Sequence, residues 1–311
     1  MNTLETLFNE LLSHINVNEV KDHPNILIAA RLWDDERYNA AKVCYKFMRK
    51  IDDYVDDRKS LGISIGEGEK ADMEAEVHNW IKELYHDYNS ADELSEIKQV
   101  IQKFKIPAVL FQDFASAMIY DINNTGFETI SDFINYSEGA SVAPASIFVH
   151  LCCLKKIGDQ YVEPEYSVQD CARPCALFSY LVHIIRDFEK DQRNNLNYFA
   201  EDVLRRHRTN HDEIKKIALG EMNATYEFRN VIQHYYFLAD KYRRKTLEKL
   251  RFLEHKLDPR YVLSLKVIFE LYLMVFERIN PQKGTFSTTE LTPNVDEILG
   301  RVYQIIEEMR V

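Results

Sequence analysis

The chain has little of what turns or breaks a helix: 9 glycines and 8 prolines in 311 residues. That scarcity argues against a turn-rich β fold and for long helices. Cysteine is sparse and odd in number. Cys44, Cys152, Cys153, Cys171 and Cys175 contain no Cys-x-x-Cys pair, which fits reduced, buried thiols rather than a disulfide framework. Positive charge is in deficit, with 39 Lys and Arg against 50 Asp and Glu and a net charge of −11. A nucleic-acid partner is not expected, because phosphate backbones call for clustered cations. The most hydrophobic late stretch, Tyr261 to Ile279, is interrupted by Lys266, Glu270, Glu277 and Arg278, so it falls short of the ~20 apolar residues of a membrane span. The first residues, MNTLETLFNELLSHI, lack the basic start and cleavage site of a signal peptide. The expectation is a soluble, cytoplasmic protein.

Hydrophobic residues make up 46% of the chain, ample for a buried core. Helical periodicity recurs almost throughout. It predicts helices near 3–15, 24–32, 35–58, 70–88, 91–103, 107–120, 129–154, 166–191, 211–237, 238–256, 260–280 and 294–309. No strand is expected. The breaks are short (GISIGEGE, NNTG, GDQYVEP, NPQKGT) and none resembles a linker, so 1–311 reads as one all-α domain. Pro144 and Pro174 fall inside apolar helical patterns, where each should bend its helix.

Two stripes carry the chemistry. Tyr45, Arg49, Asp52 and Asp56 lie in CYKFMRKIDDYVDD; Tyr180, His183, Asp187 and Asp191 lie in YLVHIIRDFEKD. At about 100° per residue, each set stays on one helical face with its carboxylates one turn apart. The second stripe runs beside the apolar face of Leu177, Leu181, Ile184, Ile185 and Phe188, a position that suits a cavity wall. Carboxylates on facing helices can hold divalent ions and, through them, a phosphorylated substrate. Asp53 adds a doublet to the first motif. Arg49 and Arg186 are suited to phosphate oxygens by their planar donor forks, and equally to ion pairs with the neighbouring Asp. The basic run KYRRKTLEKLR at 241–251 reads as a solvated face.

RKIDDYVDD and HIIRDFEKDQRNNLNYFAEDVL resemble the two acidic signatures of the squalene/phytoene synthase family, including dehydrosqualene synthases. Tyr136 with Gly139 is similar to the family's mid-chain Tyr-rich segment, and LKVIFELYLMVFERI to its closing helix. The resemblance implies the all-α isoprenoid synthase fold, a single helical bundle around a central cavity. It also implies head-to-head condensation of two prenyl diphosphates, farnesyl or geranylgeranyl, into a squalene- or phytoene-type product. Mg²⁺ or Mn²⁺ would assist, with NADPH only for squalene. By resemblance, Asp52, Asp56, Asp187 and Asp191 hold the ions with Asp53 in support. Arg49, Arg186 and Tyr45 steady the diphosphates. A carbocation needs apolar and aromatic walls, for which Tyr136, Phe133, Phe148 and Phe178 are candidates.

Two features depart from that pattern. Tyr180 and His183 stand where the family usually has Gln and Asn. His183 would offer a metal a nitrogen, which suits Zn²⁺, Co²⁺ or Mn²⁺ better than Mg²⁺, or act as a base or outer hydrogen-bond donor. The segment NILIAARLW lacks the Ser-Phe pair common there. These departures keep two alternatives open: a one-substrate class I terpene cyclase or lyase, and a non-catalytic assembly factor. Greasy substrates also suggest transient contact with a membrane surface.

Overall fold

The computed structural model describes residues 25–86 and 94–309; the helix expected at 3–15 lies outside them. Fifteen α-helices and one π-helical turn form the described fold. Most begin at a side chain that accepts a free backbone N–H of the first turn. Asp34, Thr129, Ser167, Asn210, Thr225, Asp258, Ser287 and Asn294 all do so.

Helix α1 (Asn25–Ala30) leads into α2 (Asp35–Ser60), α3 (Glu67–Glu83), α4 (Ser95–Phe104) and α5 (Ala108–Asn123). The single helix expected at 129–154 is three pieces: α6 (Ile130–Ser137), a π-helical turn (Glu138–Val142) and α7 (Ala143–Cys153). The π turn is where α5 comes closest. A Cβ on Gly139 would lie 2.2 Å from the Asp113 carbonyl oxygen and 2.8 Å from Ala117 Cβ. Pro144 falls in the first turn of α7, immediately after the π turn. Pro174 is carried inside the next helix, α8 (Val168–Arg186), without ending it.

The segment read as a loop at 158–164 closes a small hairpin instead. β1 (Lys155–Ile157) pairs antiparallel with β2 (Gln160–Val162), Lys156 opposite Tyr161. Gly158 takes φ +59 in the two-residue turn, the glycine-favouring geometry of a tight hairpin. Three residues per strand are too few to show alternation. Tyr161 is buried against Phe104, with ring centroids 4.6 Å apart, so the hairpin caps one end of the bundle.

After α8 come α9 (Phe188–Arg193), α10 (Glu201–Arg206) and α11 (His211–Ala218), then α12 (Tyr226–Glu254), α13 (Pro259–Arg278), α14 (Thr288–Leu291) and α15 (Val295–Glu308). The break expected at 237/238 is absent, since nothing there interrupts a helix. The real break is at 219–225, where Gly220 takes φ +75 and Thr225 accepts the Phe228 N–H at 3.2 Å. Helix α8 is central, packed against α12, α7, α13 and the π turn.

Arg37 ties the first long helix to the middle of the chain. Its Nε and Nη2 donate to the Leu151 and Leu154 carbonyls at 2.9 and 2.7 Å, and Nη1 to Asp34 at 2.8 Å. The guanidinium lies against the rings of Tyr161 and Tyr261. It thereby satisfies carbonyls at the end of α7 that have no helical partner. All five cysteines are free thiols. Among the described residues no helix is long and apolar enough to cross a membrane.

Gly139→Ala should force α5 and the π turn apart and lower the melting temperature, an overpacking cost of about 1–3 kcal/mol or more. Gly300→Ala is the control, since a Cβ there meets nothing within 4 Å. Thermal melts followed by circular dichroism test the pair; equal melting temperatures would refute the close approach.

Candidate active site

Helix α2 turns its apolar face, with Cys44, Phe47, Met48, Ile51 and Val55 buried, to the core. Tyr45, Arg49, Asp52 and Asp56 are left on the cavity side. Arg49 donates Nη1 to Asp52 Oδ2 at 2.6 Å and Nη2 to Asp53. Asp53 is itself half-exposed. Across the cavity, α8 ends at Asp187 and α9 begins one residue later, so the single helix expected at 166–191 is interrupted there. The stripe survives the interruption. The Asp187 N–H still bonds His183 O, and the Asp191 N–H still bonds Asp187 O, both at 2.8 Å. Arg186 grips Asp187 through Nε and Nη2 at 2.6 and 2.9 Å, and His183 Nε2 lies 2.5 Å from Asp187 Oδ2.

Helices α2 and α8 both pack on α7 and bound a cavity of about 800 Å³, within the range of sites for small organic ligands. Cys171 and Asp187 both line it from α8, so it extends roughly 24 Å along that helix at 1.5 Å per residue. One end is acidic. Away from it the walls are largely hydrocarbon and aromatic: Trp33, Phe148, Leu250, Leu253, Leu265 and Ile268. Tyr136 and Phe148 reach this surface, as expected for a lining. Phe133 and Phe178 do not; both are fully buried behind it, Phe133 stacked on Tyr180 with centroids 5.5 Å apart. In the basic run at 241–251, Lys241, Arg244 and Lys245 are exposed, whereas Lys249 lines the cavity beside Cys171.

The carboxylates divide into two kinds. Burial opposes the charge on Asp187, but bonds from Arg186 and His183 outweigh it and hold that carboxyl far below the usual range. Asp52 is raised, by burial first and by the charge of Asp121, with Arg49 pulling the other way. Asp56 is pushed up to about 7 by burial and then by Asp52 and Asp121. Asp191 is pushed up to about 8 by burial, by Asp187 and, from the opposite helix, by Asp56. Lys59 and Arg49 pull Asp56 the other way, and Lys190 and Arg186 do so for Asp191, but these cations do not outweigh burial and the neighbouring carboxylates.

Such a pair fits a divalent cation. The open donors are carboxylate oxygens, which Mg²⁺ and Mn²⁺ prefer. Among the described residues no three His, Cys, Asp or Glu side chains gather around one point. That suits Mg²⁺, which takes one or two carboxylates and completes its shell from water and substrate phosphates. His183 has its Nε2 committed to Asp187, which leaves that nitrogen unavailable as a ligand in this arrangement.

Sequence reasoning missed Asp121, Lys59 and Tyr198. Asp121 receives Lys59 Nζ at 2.9 Å and the Tyr136 hydroxyl at 2.5 Å. A signal was available: Asp121 shares a helical face with Phe114, Ala117 and Met118, all buried, so an acid there had to be buried with a partner. Burial and the adjacent Asp121 hold the Tyr136 phenol well above the ordinary tyrosine range. Tyr198 lines the cavity with its ring 6.0 Å from that of Tyr180.

A carboxyl raised in the folded state costs stability wherever the unfolded chain is already ionised. For Asp191 that window opens near pH 4 and widens up to about pH 8. Asp191→Asn should therefore raise the melting temperature of metal-free protein by several degrees at pH 8, with the gain gone by pH 4. Asp56→Asn should do the same with its gain complete by about pH 7. Thermal melts in excess chelator across this pH range are the measurement; a loss of stability at pH 8 in both variants would contradict the raised carboxyls.

The family model described as squalene/phytoene synthase matches residues 21–295. No curated protein matches the chain significantly in sequence. Among solved structures, a dehydrosqualene synthase in complex with a ligand superposes with a TM-score of 0.68 at 14% identity, over 99% of this chain and 96% of that one. Squalene synthase HpnC from Alicyclobacillus acidocaldarius gives 0.62 at 13%, over 96% and 95%. YisP from Bacillus subtilis gives 0.61 at 11%, over 99% of both. These likenesses establish the all-α isoprenoid synthase fold, and the match over most of its length makes the chain a member of the squalene/phytoene synthase family.

Proposed function

We propose that the protein condenses two prenyl diphosphates head to head, farnesyl or geranylgeranyl, with loss of pyrophosphate, to a squalene- or phytoene-type hydrocarbon skeleton. The observation that carries this reading is the strained pair Asp56 and Asp191, both pushed well above the usual carboxyl range, at one end of a cavity whose other walls are largely apolar. A prenyl diphosphate has the same division. Its charged head matches the acidic end once cations intervene, and its isoprenoid tail matches the hydrocarbon walls. Membership of the family supports the same chemistry.

The chain's own residues have distinct parts in this scheme. Asp52, Asp56, Asp187 and Asp191 would hold Mg²⁺, with Asp53 reinforcing the first motif. Magnesium, when bound, supplies Lewis-acid neutralisation of the departing pyrophosphate. Arg49, 44% exposed at its side chain, and Tyr45 stand where they can meet the diphosphate. Arg186 is fixed on Asp187 and sets that carboxylate's direction. Tyr136, Tyr180 and Tyr198 bring aromatic surface to the cavity beside the acidic end. There they favour a cationic carbon and exclude water from it.

Product analysis tests the reading. Purified protein with Mg²⁺ or Mn²⁺, with and without NADPH, should convert farnesyl or geranylgeranyl diphosphate into a C30 or C40 hydrocarbon or its cyclopropyl diphosphate precursor, detected by mass spectrometry. A C15 or C20 hydrocarbon would mean one-substrate cyclisation instead, and no consumption of either diphosphate would refute catalysis of this kind. Asp52→Asn and Asp187→Asn should each lower turnover by about 100-fold or more with helical content intact; full activity in both would sink the metal-site assignment. If His183 releases Asp187 to bind metal itself, His183→Asn shifts the preferred ion toward Mg²⁺, whereas an unchanged metal profile assigns it to orienting Asp187.

A further inference from the structure

Asp121 is the only buried carboxylate among the described residues, with 8% of its surface exposed. It does not line the cavity. It lies one layer behind, between Lys59 and Tyr136. Lys59 follows Asp56 by three residues on the same helix, and its Nζ reaches Asp121 Oδ1 at 2.9 Å. Tyr136 lines the cavity, and its hydroxyl reaches Asp121 Oδ2 at 2.5 Å. A buried ion pair is poor support for a fold, since hydrocarbon of similar volume is often as stable or more so. The pair therefore calls for another explanation.

The donor and acceptor inventory supplies it. An ammonium only donates and a carboxylate only accepts. With Lys59 on one carboxylate oxygen, the other must accept from Tyr136, so the phenol proton points away from the cavity. The Tyr180 side chain also hydrogen-bonds the Tyr136 phenol, so one oxygen lone pair is what remains for the cavity. We infer that Asp121 and Lys59 are positioning residues that lock Tyr136 as a lone-pair donor toward a cationic carbon in the cavity, and bar it from donating a hydrogen bond to the diphosphate. The inference rests on the proposed prenyl condensation. It adds two residues that do not touch the substrate and a direction for the hydroxyl of one that does. The rings of Tyr120, Phe127 and Tyr180 lie 5.0–6.3 Å from that of Tyr136, which leaves the phenol few other orientations.

Asp121→Asn is the informative variant because the lysine dictates its orientation. The amide oxygen must face Lys59, which turns the NH₂ group toward Tyr136 and reverses the hydrogen bond. Condensed product should fall about tenfold or more. Pyrophosphate release should fall less, so that the ratio of prenyl alcohol, from water captured by the cation, to condensed product rises. Tyr136→Phe should shift the same ratio. The double variant should be no worse than Tyr136→Phe alone, because a residue that acts through another adds nothing once that other is gone. Lys59→Met with Asp121→Leu removes the pair while keeping the volume filled, and should shift the ratio likewise. A substrate-free readout accompanies these: a strongly downfield hydroxyl proton in the NMR spectrum, present in the wild type and lost in both Asp121→Asn and Tyr136→Phe. If wild-type protein consumes no prenyl diphosphate, the functional reading fails. If it condenses them but the ratio is unmoved, or the two single effects multiply in the double variant, the positioning role is overturned while the functional reading stands.

Discussion

Asp56 and Asp191 repel one another across a cavity more than the nearby cations offset, and the bundle has to hold them there all the same. Helices tolerate this because their backbone hydrogen bonds are closed within each segment, so a repulsive side chain does not unpair its own scaffold. The apolar rear of α2 and the central place of α8 hold the two stripes in place from behind. The result is a site that costs stability when empty and regains it from whatever positive charge arrives.

The other carboxylates around the cavity are answered to different degrees. Asp187 is fully answered by Arg186 and His183, and Asp52 is partly answered by Arg49. Asp121, buried deepest, has Lys59. The five carboxylates therefore form a gradient of neutralisation rather than a uniform acidic patch. Away from them the cavity is largely free of charge, Lys249 being the exception. The cavity is thereby divided into a charged end and a largely apolar body.

The class of fold and the two stripes could be read directly from the chain. Few helix breakers, persistent helical periodicity and two Asp-x-x-x-Asp pairs are local properties, and local geometry converts them into faces. The same locality explains the misreadings. At the π turn, Gly139 lets α5 approach closely, and the Asp113 carbonyl it meets is 26 residues away in sequence. A hairpin of three-residue strands leaves no periodic trace, yet Tyr161 finds Phe104 and Arg37 to pack against. The long helix α12 runs through a point where the pattern suggested a break, because nothing in its backbone required one.

For the site, the sequence by itself determined which side chains share a face, since helical pitch leaves no choice in that. Only the tertiary structure decided which of those groups are answered and which are left open. Arg186 and His183 reach Asp187 by local spacing, but the repulsion between Asp56 and Asp191 exists only because separate helices face each other. The Lys59–Asp121–Tyr136 arrangement joins residues up to 77 positions apart. No periodicity could assemble it. Charge acts through space rather than along the chain, so the pattern of ionisation and hydrogen-bond direction that makes a chemical site belongs to the packed molecule.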